Sequence, residues 1–287
     1  MIDPIFLVEA AVNGVLLGGI LALLALGLNL IFGVIDIVWI VYVDLVMVCM
    51  YAIYFAHVHG WPFWLAALGA VGLGALLGIA VHVLVISPIL GSPPINQLLA
   101  TGGLLFFIQS FATFLWTTDH RSVRFALPTF EVGGIFLPAT RLIPFGISIL
   151  AMLALYLFLT RTFAGTAIRA VAQDREAMAL MGANPRRVYV TTSAVGGLMA
   201  GLAGALLVFQ YSVHPFFGGQ FGPLTFMICV LGGLGNMVGA FVASFIMSEI
   251  ISIAGVLWST EMGYVIAFVV FIVVMFIRPG GILARPE

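Results

Sequence analysis

Ala10-Ala-Val-Asn-Gly-Val-Leu-Leu-Gly-Gly-Ile-Leu-Ala-Leu-Leu-Ala-Leu-Gly-Leu-Asn-Leu-Ile-Phe32 carries no charged side chain. A helix crossing the hydrocarbon core of a bilayer needs about 20 consecutive apolar residues, so this run is long enough to cross once. It is continuously apolar and does not alternate, which excludes the in-and-out pattern of a transmembrane β-barrel. Comparable runs follow at about 37–55, 64–86, 95–116, 143–160, 190–211, 224–248 and 254–277. The expected fold is an all-α polytopic membrane protein of about eight transmembrane helices, forming a single domain over residues 1–287. Composition agrees: 63% of residues are hydrophobic and 7% charged, against about 25% charged in an ordinary soluble domain.

The joints between the runs are marked by turn chemistry. Met1-Ile-Asp-Pro-Ile-Phe6 lacks a positive leader, and the apolar run continues far beyond it, so the first run is read as a retained span. His57-Val-His-Gly-Trp-Pro62 is a short turn with Trp61 and Trp64 suited to an interface. Ser87-Pro88 and Gly91-Ser-Pro-Pro94 end one helix and open the next. Residues 117–142, with Asp119, Arg121, Arg124, Glu131 and Arg141, form the longest loop between spans. Glycines spaced by four (Gly14/Gly18, Gly74/Gly78, Gly197/Gly201, Gly235/Gly239) predict close helix packing. In Leu231-Gly-Gly-Leu-Gly-Asn-Met-Val-Gly239 they are dense enough to predict a broken or re-entrant helix near 224–248. Irregular backbone at membrane depth survives only when buried in protein or lining a cavity. That makes Gly232, Gly233 and Gly235 candidates for a solute pathway.

One long polar segment interrupts the apolar pattern, at 165–187. Ile168, Val171, Ala172, Met178 and Met181 recur there at helical spacing, and Gly182 before Asn184-Pro185 reads as a stop. Arg161, Arg169, Arg175, Arg186 and Arg187 outweigh Asp174 and Glu176, which by the positive-inside rule puts the loop at 161–188 in the cytoplasm. Counting spans from there places the N-terminus outside. It places the C-terminus outside too, against Arg278 and Arg285, unless the Gly-rich stretch supplies one more crossing. The segment reads either as a surface helix anchored by charge or as a docking helix whose Met and small residues fill a groove on a cytoplasmic partner.

Several activities are excluded. All ten basic residues are Arg. Without Lys there is no P-loop and no Schiff base, so no ATPase site is expected on this chain. A net charge of −1 gives no attraction to nucleic acid. His57, His59, His82, His120 and His214 form no metal motif, no Ser sits in a nucleophile elbow, and Cys49 and Cys229 lie in apolar runs as packing residues. The chain is expected to be a transport subunit, with no catalytic residue, no metal and no cofactor of its own.

The polar segment also has a family likeness. Gly165-x-x-Ile168-Arg169-Ala170-Val171-Ala172-x-Asp174, then Met181-Gly182 and Arg187-Val188, resembles the cytoplasmic loop of the branched-chain amino acid permeases of ABC importers. Gly27-Leu-Asn-Leu-Ile-Phe-Gly33 is similar to the end of that family's first span, and Thr101-Gly-Gly-Leu-Leu-Phe-Phe-Ile-Gln109 to its fourth. Val230-Leu-Gly-Gly-Leu-Gly235 with Gly239-Ala240, and Ala267-Phe268 before Arg278-Pro279-x-Gly281, resemble its C-terminal third. The resemblance implies a multi-pass permease subunit in the bacterial inner membrane that imports amino acids or related small carboxylates and amides. It implies as partners a homologous second permease, two cytoplasmic ATPase subunits that bind ATP and Mg, and a periplasmic substrate-binding protein. On this resemblance Arg169, Asp174, Arg175, Met178, Met181, Gly182 and Asn184 would couple the ATPase. The competing reading is a self-sufficient secondary transporter or channel, which the scarcity of ionisable residues within the spans disfavours.

The resemblance breaks at one place. Where the family reads Asn-Phe-Ala-His-Gly-Glu/Asp, this chain has Trp39-Ile-Val-Tyr42-Val-Asp44, retaining only the acid. Trp39 and Tyr42 either wall a route suited to an aromatic or other non-amino-acid acid, fill the route, or face lipid or a neighbouring helix. Asp44 is either a hydrogen-bonded structural residue or a polar contact on the route. Asn29, Gln97, Thr101 and Gln109 either bond across helices or touch a passing solute.

Overall fold

The uncharged opening run forms one helix in the computed structural model, which describes residues 4–283 except 126, 133 and 183. This helix, α1 (Pro4–Ile35), extends beyond the predicted 10–32 at both ends. From Ile20 to Ala25 it is wholly enclosed, as expected of a helix that is apolar all round. It packs against α6 (Ala139–Arg161), α9 (Pro185–Leu207), α10 (Phe217–Gly232) and above all α11 (Met237–Leu257). The layer is extended by α2 (Tyr42–Val58), which lies against α3 (Phe63–Val81) and α9. Beyond a π-helical turn (His82–Ile86), α3 continues into the short α4 (Ser87–Ile89), where Pro88 has no N–H to return to Leu84. On the perimeter stand α5 (Pro94–Trp116) and α12 (Thr260–Ile277), apolar helices with most of their surface uncovered.

Among the described residues, seven helices are long and apolar enough to cross a membrane, and α2 and α10 are shorter apolar helices. The glycine spacings do what small residues do in membranes. Gly74 and Gly78 of α3 lie against the backbone of Ser193, Gly197 and Gly201 on α9, so closely that a Cβ on any of these glycines would meet main-chain atoms. Gly14 and Gly18 receive Glu249, Phe245 and Ser248 of α11.

Four expectations need correction. The second span does not start at 37: residues 36–41 are not α-helical, and α2 begins at Tyr42. Ile37 to Val41 are apolar and mostly β-branched, so their pattern does not distinguish extended chain from helix. The run at 224–248 breaks as expected, at Gly233–Asn236, but its first piece, α10, starts earlier than 224, at Phe217. Residues 254–257 finish α11 and do not open the last helix. The long loop also carries an antiparallel hairpin, β1 (Thr129–Val132) with β2 (Ile135–Pro138), in register Thr129 to Pro138.

The split resolves the parity. One cavity is lined by Phe32–Asp36 at the end of α1, Arg169 and Arg175 of the polar segment, Tyr189, Gly233–Val238 and Gly280. The α10–α11 turn and the end of α12 therefore lie on the arginine-rich side. A second cavity gathers Phe6 and Glu9 of α1, Arg141, Gln210, Gly255 and Thr260, which defines the opposite side. With α10 as the missing crossing, Arg278 lies on the same side as the other arginines, as the positive-inside rule requires. Arg285 and residues 1–3 lie outside the described residues.

Candidate functional site

Three groups of residues deserve description: the polar segment, the Gly-rich turn, and the acid at the start of α2. The polar segment is not the single helix its periodicity predicts. It folds as α7 (Phe163–Gln173) and α8 (Arg175–Leu180). Thr162 opens α7, its Oγ1 accepting from the Gly165 amide at 3.0 Å. Asp174 adopts an extended backbone and its Oδ1 accepts from the amides of Glu176 (3.0 Å) and Ala177 (2.9 Å), capping α8. An aspartate that caps a new helix stops the old one. Asn184 does the same for α9, accepting from Arg186 (3.1 Å) and Arg187 (3.4 Å). Gly182 has a φ of +86°, a left-handed conformation that suits glycine.

The two halves differ in what holds them. Gly165, Ile168 and Val171 of α7 are buried, with Gly165 against the Phe158–Leu159 backbone at the end of α6. No residue of α8 is buried; Met178 is half-covered, while Leu180 is 90% and Met181 83% exposed. Arg169 and Arg175 face the cavity of about 910 Å³ shared with the end of α1 and the Gly-rich turn.

That turn is clamped by one side chain. Asn29 Nδ2 donates to the carbonyls of Asn236 (2.9 Å) and Gly233 (3.4 Å), and Asn29 Oδ1 accepts from the Gly235 amide at 2.7 Å. Gly233 and Gly235 have φ of +95° and +81°. Gly232 packs directly on Gly239 and Ala240 across the turn, leaving no room for a Cβ. The structure thus brings Asn29, Gly232, Gly233 and Gly235 together as one unit.

Asp44 lies elsewhere, in the first turn of α2, and is 1% exposed. Gln109 Nε2 of α5 donates to its Oδ1 at 2.9 Å. Gly218, at the second position of α10, sits so close that a Cβ there would meet the carboxylate. The starts of α2 and α10 therefore meet at one buried acid, whose Oδ2 is enclosed without a hydrogen-bond partner. Tyr42, two residues earlier, donates to the Gly196 carbonyl at 3.3 Å, and Trp39 is wholly enclosed. Thr101 is buried and turned back onto its own helix, donating to the Gln97 carbonyl at 3.0 Å. Gln97 in turn secures the α4–α5 corner through the Ser92 carbonyl at 3.0 Å.

The sequence reading overlooked α10. Its outer face presents Phe216, Gly219, Gln220, Pro223 and Phe226 to open space. Pro223 has no N–H, so the Gly219 carbonyl on this face lacks its helical partner. The run Gly218-Gly-Gln-Phe-Gly-Pro223, with a proline and three glycines in an apolar setting, is the signal that could have exposed it.

The chain matches the family described as "Branched-chain amino acid transport system / permease component" over residues 10–275. It is 28% identical over 303 aligned residues to the high-affinity branched-chain amino acid transport system permease protein LivH of Escherichia coli K12, covering 99% of this chain and 97% of that protein. The corresponding protein BraD of Pseudomonas aeruginosa is 26% identical over 295 residues, covering 97% and 96%. No solved structure matches the chain.

Proposed function

Since the chain belongs to the branched-chain amino acid transport permease family, we propose that it is the membrane subunit of an ABC importer for branched-chain or similar small amino acids in a bacterial inner membrane. The observation that carries this reading is the divided lever. α7 is fixed by its buried face to α6, α9 and α1, whereas α8 touches α7 and α9 through a half-covered Met178 and leaves Leu180 and Met181 uncovered. These two large apolar side chains stand uncovered at the end of α8, as the contact face of a docking helix would. A groove on a cytoplasmic ATPase subunit, where ATP and Mg bind, accepts them by helix-in-groove docking.

Motion of α8 would then reach the membrane through α7. Arg169 lies on α7, and Arg175 opens α8; both line the cavity whose other walls are the end of α1 and the clamped Gly-rich turn. The open face of α10, with Gln220 and the Gly219 carbonyl that Pro223 deprives of its helical donor, is the polar strip available to a passing solute, and the buried Asp44–Gln109 pair lies behind it against Gly218. A homologous second permease facing that strip closes the route, and a periplasmic binding protein delivers the solute.

The test is reconstitution with the partner subunits. Leucine uptake into proteoliposomes should require ATP. Leu180→Asp with Met181→Asp should release the ATPase subunits during purification while the permease still inserts. Uptake by this chain in ATP-free vesicles would overturn the importer reading, and full ATPase retention by the double variant would remove the lever from it.

A further inference from the structure

A cavity lies on the side opposite the lever, between α1, α6 and the ends of α11 and α12. It holds about 480 Å³, within the range of small-molecule sites. Its lining combines opposite charges from two helices, Glu9 of α1 and Arg141 of α6. Asn13 and Gln210, which also line it, each leave one amide atom, Oδ1 and Nε2, buried without a hydrogen-bond partner. Both atoms are enclosed in the cavity's wall, so the groups open to a ligand are the two charged side chains. Leu17 and Ile251 supply an apolar wall.

The geometry points to a reception pocket for a zwitterion with an aliphatic body: a free branched-chain amino acid held on this subunit before it enters the route. Arg141 offers donors to a carboxylate, Glu9 offers acceptors to an ammonium, and Leu17 with Ile251 takes the side chain. This rests on the importer reading, to which it adds a site on this chain. A phosphatidylethanolamine headgroup carries the same pair of charges, so the experiment separates the two sources.

The intact assembly, without its binding protein, is placed in nanodiscs of phosphatidylglycerol and titrated with L-isoleucine, L-isoleucinamide and N-acetyl-L-isoleucine. Isoleucine should bind saturably, and each capped form about tenfold or more weaker, as expected for loss of a charge-assisted hydrogen bond. Arg141→Gln should abolish the preference for isoleucine over its amide, and Glu9→Gln the preference over the N-acetyl form. A misfolded variant would bind none of the three and lose both preferences together, so the selective pattern distinguishes contact from collapse. Equal binding of capped and free forms overturns the pocket, as does binding suppressed by added phosphatidylethanolamine with no response to amino acid. ATP-driven uptake measured in the same preparation tells these outcomes from failure of the importer reading: uptake that persists without the pocket signature removes the pocket alone.

Discussion

Two joints in this molecule interrupt helical backbone, and they are built from opposite materials. Gly233–Asn236, between α10 and α11, uses glycines at positive φ and is held by three hydrogen bonds from Asn29. Asp36–Val41, between α1 and α2, uses bulk: Trp39 and Val41 are 0% exposed. Local bonds such as Ile40 N–H to the Val38 carbonyl (3.1 Å) and Tyr42 N–H to the Trp39 carbonyl (3.1 Å) satisfy part of its main chain. Inside a membrane every backbone polar group needs a partner. The first joint recruits that partner from a distant helix, and the second encloses itself in side chains. The first should therefore fail when its clamp is cut, and the second when its filling is removed.

The largest expected effect is at the packed joint. Trp39→Ala removes a wholly enclosed side chain and should cost about 3–5 kcal/mol, read as a lowered unfolding midpoint in detergent; a change near zero would mean that the joint does not depend on its bulk. Next comes the clamp: Asn29→Leu strands the Gly235 amide and the Asn236 carbonyl, at about 2–4 kcal/mol by the same measurement. Equal tolerance of leucine and asparagine there would show that the Gly-rich turn holds itself. Gly235→Val sets a β-branched residue at a φ of +81° and should cost about 1–3 kcal/mol, whereas Val41→Ile at the other joint should be nearly silent unless overpacking intervenes.

The smallest effect concerns the outer joint between α9 and α10. Burial, then the neighbouring His120, holds the His214 imidazole below its ordinary 6.5; the two rings are 4.3 Å apart. The unfolded chain takes up this proton first as pH falls, so the stability tied to neutral His214 is complete above about 6.5 and declines below it. The thermal midpoint should fall slightly from pH 7.5 to 5.5, and His214→Gln should remove that part of the fall. An identical pH dependence in the variant would assign the drop to other groups.

The difference in material also explains which joint was readable. Glycine repeats within an apolar run announce a break, and the break at Gly233–Asn236 was expected. Ile37-Val-Trp-Ile-Val41 announces nothing, because a wholly apolar stretch has the same composition whether helical or extended. The polar segment was legible as an arginine-bearing helical stretch but not as two helices: Asp174 fits a helical surface as well as a cap, and the choice rests on whether α7 can bury Ile168 and Val171 while α8 turns away. Asp44 was visible as an isolated acid. Its neighbours Gln109 and Gly218 come from α5 and α10, far along the chain, and no spacing encodes their meeting.

Membrane residence and the all-α fold followed from local composition, since the cost of exposing charge or bare backbone to hydrocarbon is levied residue by residue, and the family followed from the resemblance of short motifs. The split at Asp174, the non-helical entry to α2, the helix starts converging on Asp44 and the paired charges of Glu9 and Arg141 in one cavity were decided only by tertiary packing. Each depends on which distant side chain or backbone group arrives to satisfy or fill a place, and that is a property of the assembled helices rather than of any one run.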